Sequence, residues 1–86
     1  MKQVSSTVLA GFTAVEERER EVLFDTFRVW ADAGGAIGDA AQRLHCHANT
    51  VRHRLRRVEE ITGKSLGRPI ELAELCLAFE VDLLVS

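Results

Sequence analysis

Several kinds of residue and motif are scarce or missing from this 86-residue chain, and each absence narrows what it can be. There are two cysteines, Cys46 and Cys76, too few and too far apart for a disulfide framework. Both sit among apolar neighbours and read as reduced, buried thiols: Cys46 filling a turn, Cys76 the core or an interface. No Cys-x-x-Cys or His-x-x-x-His pair occurs. His45, Cys46 and His47 are consecutive on one backbone and cannot easily converge on a tetrahedral ion with His53, so no metal site is expected. No apolar run approaches the roughly 20 residues that span a bilayer, and Met1-Lys2-Gln3 leads into no signal-peptide core. A cytoplasmic protein without membrane contact is the expectation. A Gly-rich phosphate loop, a Gly-x-Ser-x-Gly elbow and an inward carboxylate pair are also absent. Neither an enzyme nor a bound cofactor is therefore expected.

What is present fits a small folded domain. Apolar residues make up 47% and charged residues 28% of the chain, a balance suited to a globular helical domain rather than a disordered tail. A chain this short buries only about 60 to 65% of the surface it exposes when unfolded, so its own core supplies modest stability. The formal net charge of -2 disguises a segregation. Glu16, Glu17, Glu19, Glu21 and Asp25 crowd the first third, whereas Arg43, Arg52, Arg54, Arg56 and Arg57 occupy a stretch with no acid between Gln42 and Val58. At a Debye length of about 8 Å a ligand feels that local field, not the net charge. The plainer account of such a run is a solvated helix face.

The periodicity predicts helices throughout. A short apolar patch, Val8, Leu9 and Phe12, follows Ser5 and Ser6. Thr13 then opens a charged helix in capping-box style with Glu16, its apolar stripe Leu23, Phe27, Trp30 and Ala31, its end at Gly34-Gly35. A short second helix carries Ile37, Ala40, Ala41 and Leu44, with Gly38 at its N-cap. His45, Cys46 and His47 connect it to a third helix that begins near Ala48, buries Val51, Leu55, Val58 and Thr62, and stops at Gly63. Lys64 to Arg68 reads as a loop with Leu66 turned inward, and Pro69 suits the first position of a last helix reaching about Leu84. Leu72, Leu75, Cys76, Phe79, Val81, Leu83 and Leu84 give that helix more apolar surface than an outer helix of a small domain usually carries.

On a wheel of about 100° per residue the apolar stripe of the third helix falls within about 60°, and the opposite side is chemically distinct. Asn49, His53, Arg56 and Arg57 point away from it, Thr50 lies beside them, and Arg52 and Arg54 take the shoulders. A helix docked in a major groove needs this distribution: short polar side chains near its N-terminus for base edges, and long cations for phosphates on either bank. Ala40 and Ala41 are small enough for a steep, close helix crossing, and the two features stand at the separation of a helix-turn-helix. Trp30 and the phenylalanines fall at core-like spacings, which disfavours the stacking platforms of single-stranded RNA recognition.

The run Gly34-Gly35-Ala36-Ile37, Ala40-Ala41, Leu44-His45-Cys46-His47, Asn49-Thr50-Val51-Arg52-His53-Arg54-Leu55 and Val58-Glu59-Glu60-Ile61-Thr62-Gly63 resembles the C-terminal helix-turn-helix of PucR/CdaR-type transcription regulators. Leu66 and the Leu-rich last helix match as well, so the resemblance covers about Val22 to Leu84, and its His-x-Asn-Thr-apolar-Arg-x-Arg-Leu core is specific. The chain departs from the usual pattern at Ala48 (commonly Arg), His53 (commonly Tyr) and Gly38 (commonly Ser). The resemblance implies that His47 opens the recognition helix, that Asn49, Thr50 and His53 contact base edges or phosphates, and that Arg52, Arg54, Arg56 and Arg57 serve mainly as phosphate anchors. His47 also suits a simple polar N-cap, and Arg57 an ion pair with Glu59 or Glu60.

The expectation is an all-α, Fis-like or homeodomain-like domain of four main helices with a short additional one at the N-terminus, residues 1–21 forming an acidic extension and 22–86 the DNA-binding domain. The expected partner is double-stranded DNA, read as the output of a transcription regulator by a homodimer. Family members carry the module behind a regulatory region, so that region is expected to be missing from this chain or supplied separately. The rival function is a protein-binding or dimerisation module without direct DNA contact.

Overall fold

The computed structural model of the protein describes residues 8–85, and their side chains as far as Val81. Ser5, Ser6 and the side chains of Leu83 and Leu84, all used above, lie outside the described residues and side chains. After a 3-10 helix, Ala10–Ala14, come α1 (Glu17–Asp32), α2 (Ile37–Leu44), α3 (Ala48–Thr62) and α4 (Pro69–Val85). No strand occurs among the described residues, and the all-α fold of four main helices and a short N-terminal one is as expected. The chain divides into two compact units, Glu17–Val58 and the pairing of residues 8–16 with 59–85. The continuous helix α3 contributes to both.

In the first unit, α1 starts at Glu17, four residues after the expected cap. Thr13 belongs to the 3-10 helix and its hydroxyl donates backward to the Ala10 carbonyl at 2.9 Å, while Val15 is extended (φ -91°, ψ 138°) and interrupts the helix. Glu17 and Glu19 then place negative charge at the positive end of the helix dipole. The buried stripe of α1 is Leu23, Thr26 and Phe27; Trp30 is half-buried against Phe27, and Ala31, expected inside, is exposed. The end of α1 is a Schellman turn: Gly35 N–H donates to the Trp30 carbonyl and Gly34 N–H to that of Ala31. Gly34 supplies the positive φ this turn requires (70°), and Gly35 is left-handed as well (82°).

Since Gly34 and Gly35 complete the reversal, the chain enters α2 at once. The N-cap is Ala36, without a side-chain cap bond, and not Gly38, which lies inside the helix. α1 and α2 pack closely, and Ala40 and Ala41 are buried. α2 ends in a second Schellman turn, Cys46 N–H donating to Ala41 and His45 N–H to Gln42. Here the left-handed position is filled by His45 (φ 55°), at a steric cost of about 1 kcal/mol that a glycine would not incur. Val51, Leu55 and Val58 of α3 are buried, as the wheel requires, whereas Thr62, expected on the same stripe, is half-buried.

The second unit gives the N-terminal apolar patch its role. Val8, Leu9 and Phe12 are buried, as are Leu75, Ala78 and Phe79, and the rings of Phe12 and Phe79 meet edge to face at 6.2 Å. Leu75 and Phe79 are thus core within this unit, while Leu72, Cys76 and Val81 are half-buried. α3 ends at Gly63 (φ 72°), and two carboxylates pin the following loop. Glu59 accepts from the Leu66 N–H at 2.8 Å and Glu71 from the Ser65 N–H at 2.6 Å. The Ser65 N–H, with Arg68 and Lys64 nearby, holds the Glu71 carboxyl below its ordinary pKa despite an opposing contribution from desolvation.

Two glycines separate close packing from helix propensity. A Cβ on Gly11 would sit on the Ile61 carbonyl oxygen, whereas one on Gly38 meets open space. Gly11→Ala should cost about 1–3 kcal/mol by overpacking. Gly38→Ala should gain about 0.4–1 kcal/mol by restricting the unfolded chain. Thermal melts followed by circular dichroism would register opposite shifts of roughly 4–8 °C per kcal/mol. An unchanged melt for Gly11→Ala would contradict the close approach to Ile61.

Candidate nucleic-acid interface

The candidate surface is built by the opening of α3. The His47 carbonyl accepts from the Thr50 and Val51 N–H groups at 3.0 and 3.2 Å, so this residue does open the helix, and its side chain is exposed. The first turn contains no acid, and the first acidic residue of the helix is Glu59. With Val51, Leu55 and Val58 buried, the solvent side is fixed: Asn49, Arg52, His53 and Arg56 are exposed and Thr50 is partly so. The helix end carries the partial positive charge of unpaired backbone N–H groups, and nearby guanidinium groups add to it.

The remaining two arginines differ in setting. Arg54 is half-buried and its Nη1 donates to the Thr26 Oγ1 at 3.3 Å, while that hydroxyl donates to the Val22 carbonyl at 2.8 Å. Arg57 Nε donates to Glu19 Oε2 at 3.1 Å, across to α1. The structure therefore brings Asn49, Arg52, His53 and Arg56 together on one exposed face, and ties Arg54 and Arg57 to α1 at its margin. Arg43, inside the acid-free stretch, is bound by Asp32 at 2.9 Å and Asp39 at 3.3 Å.

Thr26 and Glu19 were not singled out in the sequence. Thr26 was detectable, because it completes an i, i+3, i+4, i+7 series with Leu23, Phe27 and Trp30 and is a polar residue at a core position. Glu19 gave no such signal, since its partner is 38 residues away. Elsewhere, Cys46 and Cys76 are free, half-buried thiols, and burial, reinforced by Glu80, raises the Cys76 pKa. Among the described residues no three His, Cys, Asp or Glu side chains are grouped to hold a metal ion, and no helix is long and apolar enough to cross a membrane.

Comparison with known proteins agrees with this geometry. The PucR C-terminal helix-turn-helix domain family matches residues 23–81, most of the chain. The purine catabolism regulatory protein of Bacillus subtilis is 37% identical over 73 residues, covering 85% of this chain and 14% of that protein. Uncharacterised proteins of Mycobacterium bovis and Mycobacterium tuberculosis are each 39% identical over 62 residues, covering 72% of this chain and 15% of theirs. The chain thus spans about one seventh of the length of these curated relatives. No solved structure matches it. With a family match across α1 to α4 and the helix-turn-helix in its expected place, this chain belongs to the PucR C-terminal helix-turn-helix domain family.

Proposed function

We propose that this chain binds double-stranded DNA sequence-specifically as the output module of a transcription regulator, with the first half of α3 entering the major groove. The observation that carries this reading is the division of α3 into a buried apolar stripe and an exposed face of Asn49, Arg52, His53 and Arg56 without an acid among them. Phosphate contacts would position the helix, and side chains near its N-terminal end would read base edges. Burial of Phe12, Phe27 and Phe79 supports duplex over single-strand recognition, which favours exposed aromatic platforms. Residues 22–86 form the reading domain and residues 1–21 an extension, of which residues 8–16 belong to the same compact unit as α4 and residues 17–21 begin α1. Regulatory input comes from sequence outside this chain, and the work is done in the cytoplasm, without a cofactor or catalysis.

Binding of this kind is sensitive to salt, since each neutralised phosphate releases counterions. Arg56→Ala and Arg57→Ala should each flatten the plot of log K against log salt by roughly 0.9. Slopes equal to that of the wild type would remove both residues from the interface.

The module further acts as a two-fold pair, because one recognition helix reads too few base pairs to select among genomic sites. Val8, Leu9, Phe12, Leu75 and Phe79 are buried and unavailable for pairing, whereas Ile70 is 78% and Leu77 39% exposed on α4. The same exposed pair favours the second reading, a protein-docking module that does not touch DNA. Paired modules should bind an inverted repeat whose half-sites lie about 34 Å, or a multiple of that, apart. Analytical ultracentrifugation at micromolar concentration, with and without DNA, tests this. A monomer binding an asymmetric site one to one would exclude the pair, and no DNA binding at all would leave the docking module.

A further inference from the structure

Asn49 and Arg52 stand one turn apart near the start of α3, both exposed, and Arg52 Nη1 donates to Asn49 Oδ1 at 2.8 Å. A guanidinium has donors only, so the Asn49 atom it holds must be the carbonyl oxygen, and the amide NH₂ is the end left for a ligand. Oδ1 retains a lone pair, but another donor approaching it meets the cation already bound there. As a unit the two side chains therefore present donors: the amide N–H groups of Asn49 and the remaining N–H groups of Arg52.

This arrangement bears on which base is read. Adenine offers one acceptor, N7, and one donor, N6, and an asparagine recognises it by using both ends of its amide. Guanine offers two acceptors, N7 and O6, matched by the fork of a guanidinium. The donor-only pair suits guanine and leaves no unencumbered acceptor for the adenine amino group. Of the four arginines on α3, Arg54 and Arg57 are engaged with Thr26 and Glu19 on α1, and Arg56 lies a turn further along. Arg52 is the one nearest the N-terminal end, from which a recognition helix contacts base edges.

We propose that Arg52 is the base-reading residue, taking guanine through O6 and N7, and that Asn49 is a positioning residue that holds its guanidinium. The assignment rests on the duplex-binding function proposed above. It makes the pair a specificity device, while Arg56 remains a phosphate anchor.

Selection from a randomised duplex pool, using the 86-residue chain and three variants, tests the assignment. The wild type should enrich a guanine that Arg52→Ala no longer selects, its preference over adenine at that position falling about 5- to 150-fold. Arg52→Lys should lose most of the same preference while its salt slope stays that of the wild type, because charge is kept and the fork is not. A phosphate anchor would behave oppositely, keeping its sequence preference with lysine. Asn49→Ala should relax the same guanine position and erase no adenine position. Circular dichroism confirms that each variant is folded, and all three substitutions are at exposed sites. A guanine preference that survives Arg52→Ala, an adenine preference lost with Asn49→Ala, or a wild-type consensus without guanine overturns the assignment and leaves duplex binding intact. A wild type that binds no duplex overturns the proposed function, and this assignment falls with it.

Discussion

The burial of Val51, Leu55 and Val58 is the constraint on which the rest of the first unit and its surface depend. Fully buried side chains of this size contribute about 1.5–3 kcal/mol each relative to exposure. Rotating α3 by one residue would bring its apolar stripe toward water and drive Arg52 or Arg54 inward, with a desolvation cost that no exposed hydrogen bond recovers. The rotational setting of the helix is therefore determined by its hydrophobic side, and the polar face follows from it. The Schellman turns at Gly34-Gly35 and at His45-Cys46 supply the tight reversals that bring α1, α2 and α3 together in so short a chain.

Helix α1 adds a second level of organisation. Thr26, fully buried, satisfies its own hydroxyl on the Val22 carbonyl and offers the oxygen to Arg54, while Glu19 engages Arg57. The Arg57–Glu19 pair is substantially exposed on both sides, and ion pairs in that setting contribute only about 0–1 kcal/mol. Its consequence is geometric more than energetic: long side chains with many rotamers are restricted before any ligand arrives. Charge segregation along the chain thus has two results. The acids of α1 and the arginines of α3 are apart in sequence, yet one pair of them meets in the fold, while Arg52 and Arg56 remain exposed.

Much of this was legible in the amino-acid pattern. The start of α3 at Ala48, its stop at Gly63, the role of Pro69 at the head of α4, and the buried stripe of α3 follow from 3.6-residue periodicity and local stop signals. Those signals are confined to neighbouring residues, which is why they survive without any knowledge of tertiary packing. The start of α1 was displaced because Thr13-x-x-Glu16 has the form of a capping box, while the chain uses Thr13 to close a 3-10 turn instead. Gly38 was misplaced at a cap because Gly34 and Gly35 had already completed the turn. Val8, Leu9 and Phe12 showed only as an apolar patch without a role, because Phe79, which Phe12 meets in the core, is far along the chain. At the candidate site, the exposed face was legible from the wheel. The pairings of Arg54 with Thr26 and Arg57 with Glu19 depend on the docking of α1 and were not.

The central claim is that α3, through the face opened by Asn49, meets the duplex. Titrating ¹⁵N-labelled protein with a short DNA duplex at low salt addresses it directly. The account predicts that the largest amide shifts fall between His47 and Arg57, with the exposed positions of α4 around Ile70 and Leu77 little changed. Shifts concentrated on α4, with His47 to Arg57 unmoved, would contradict it.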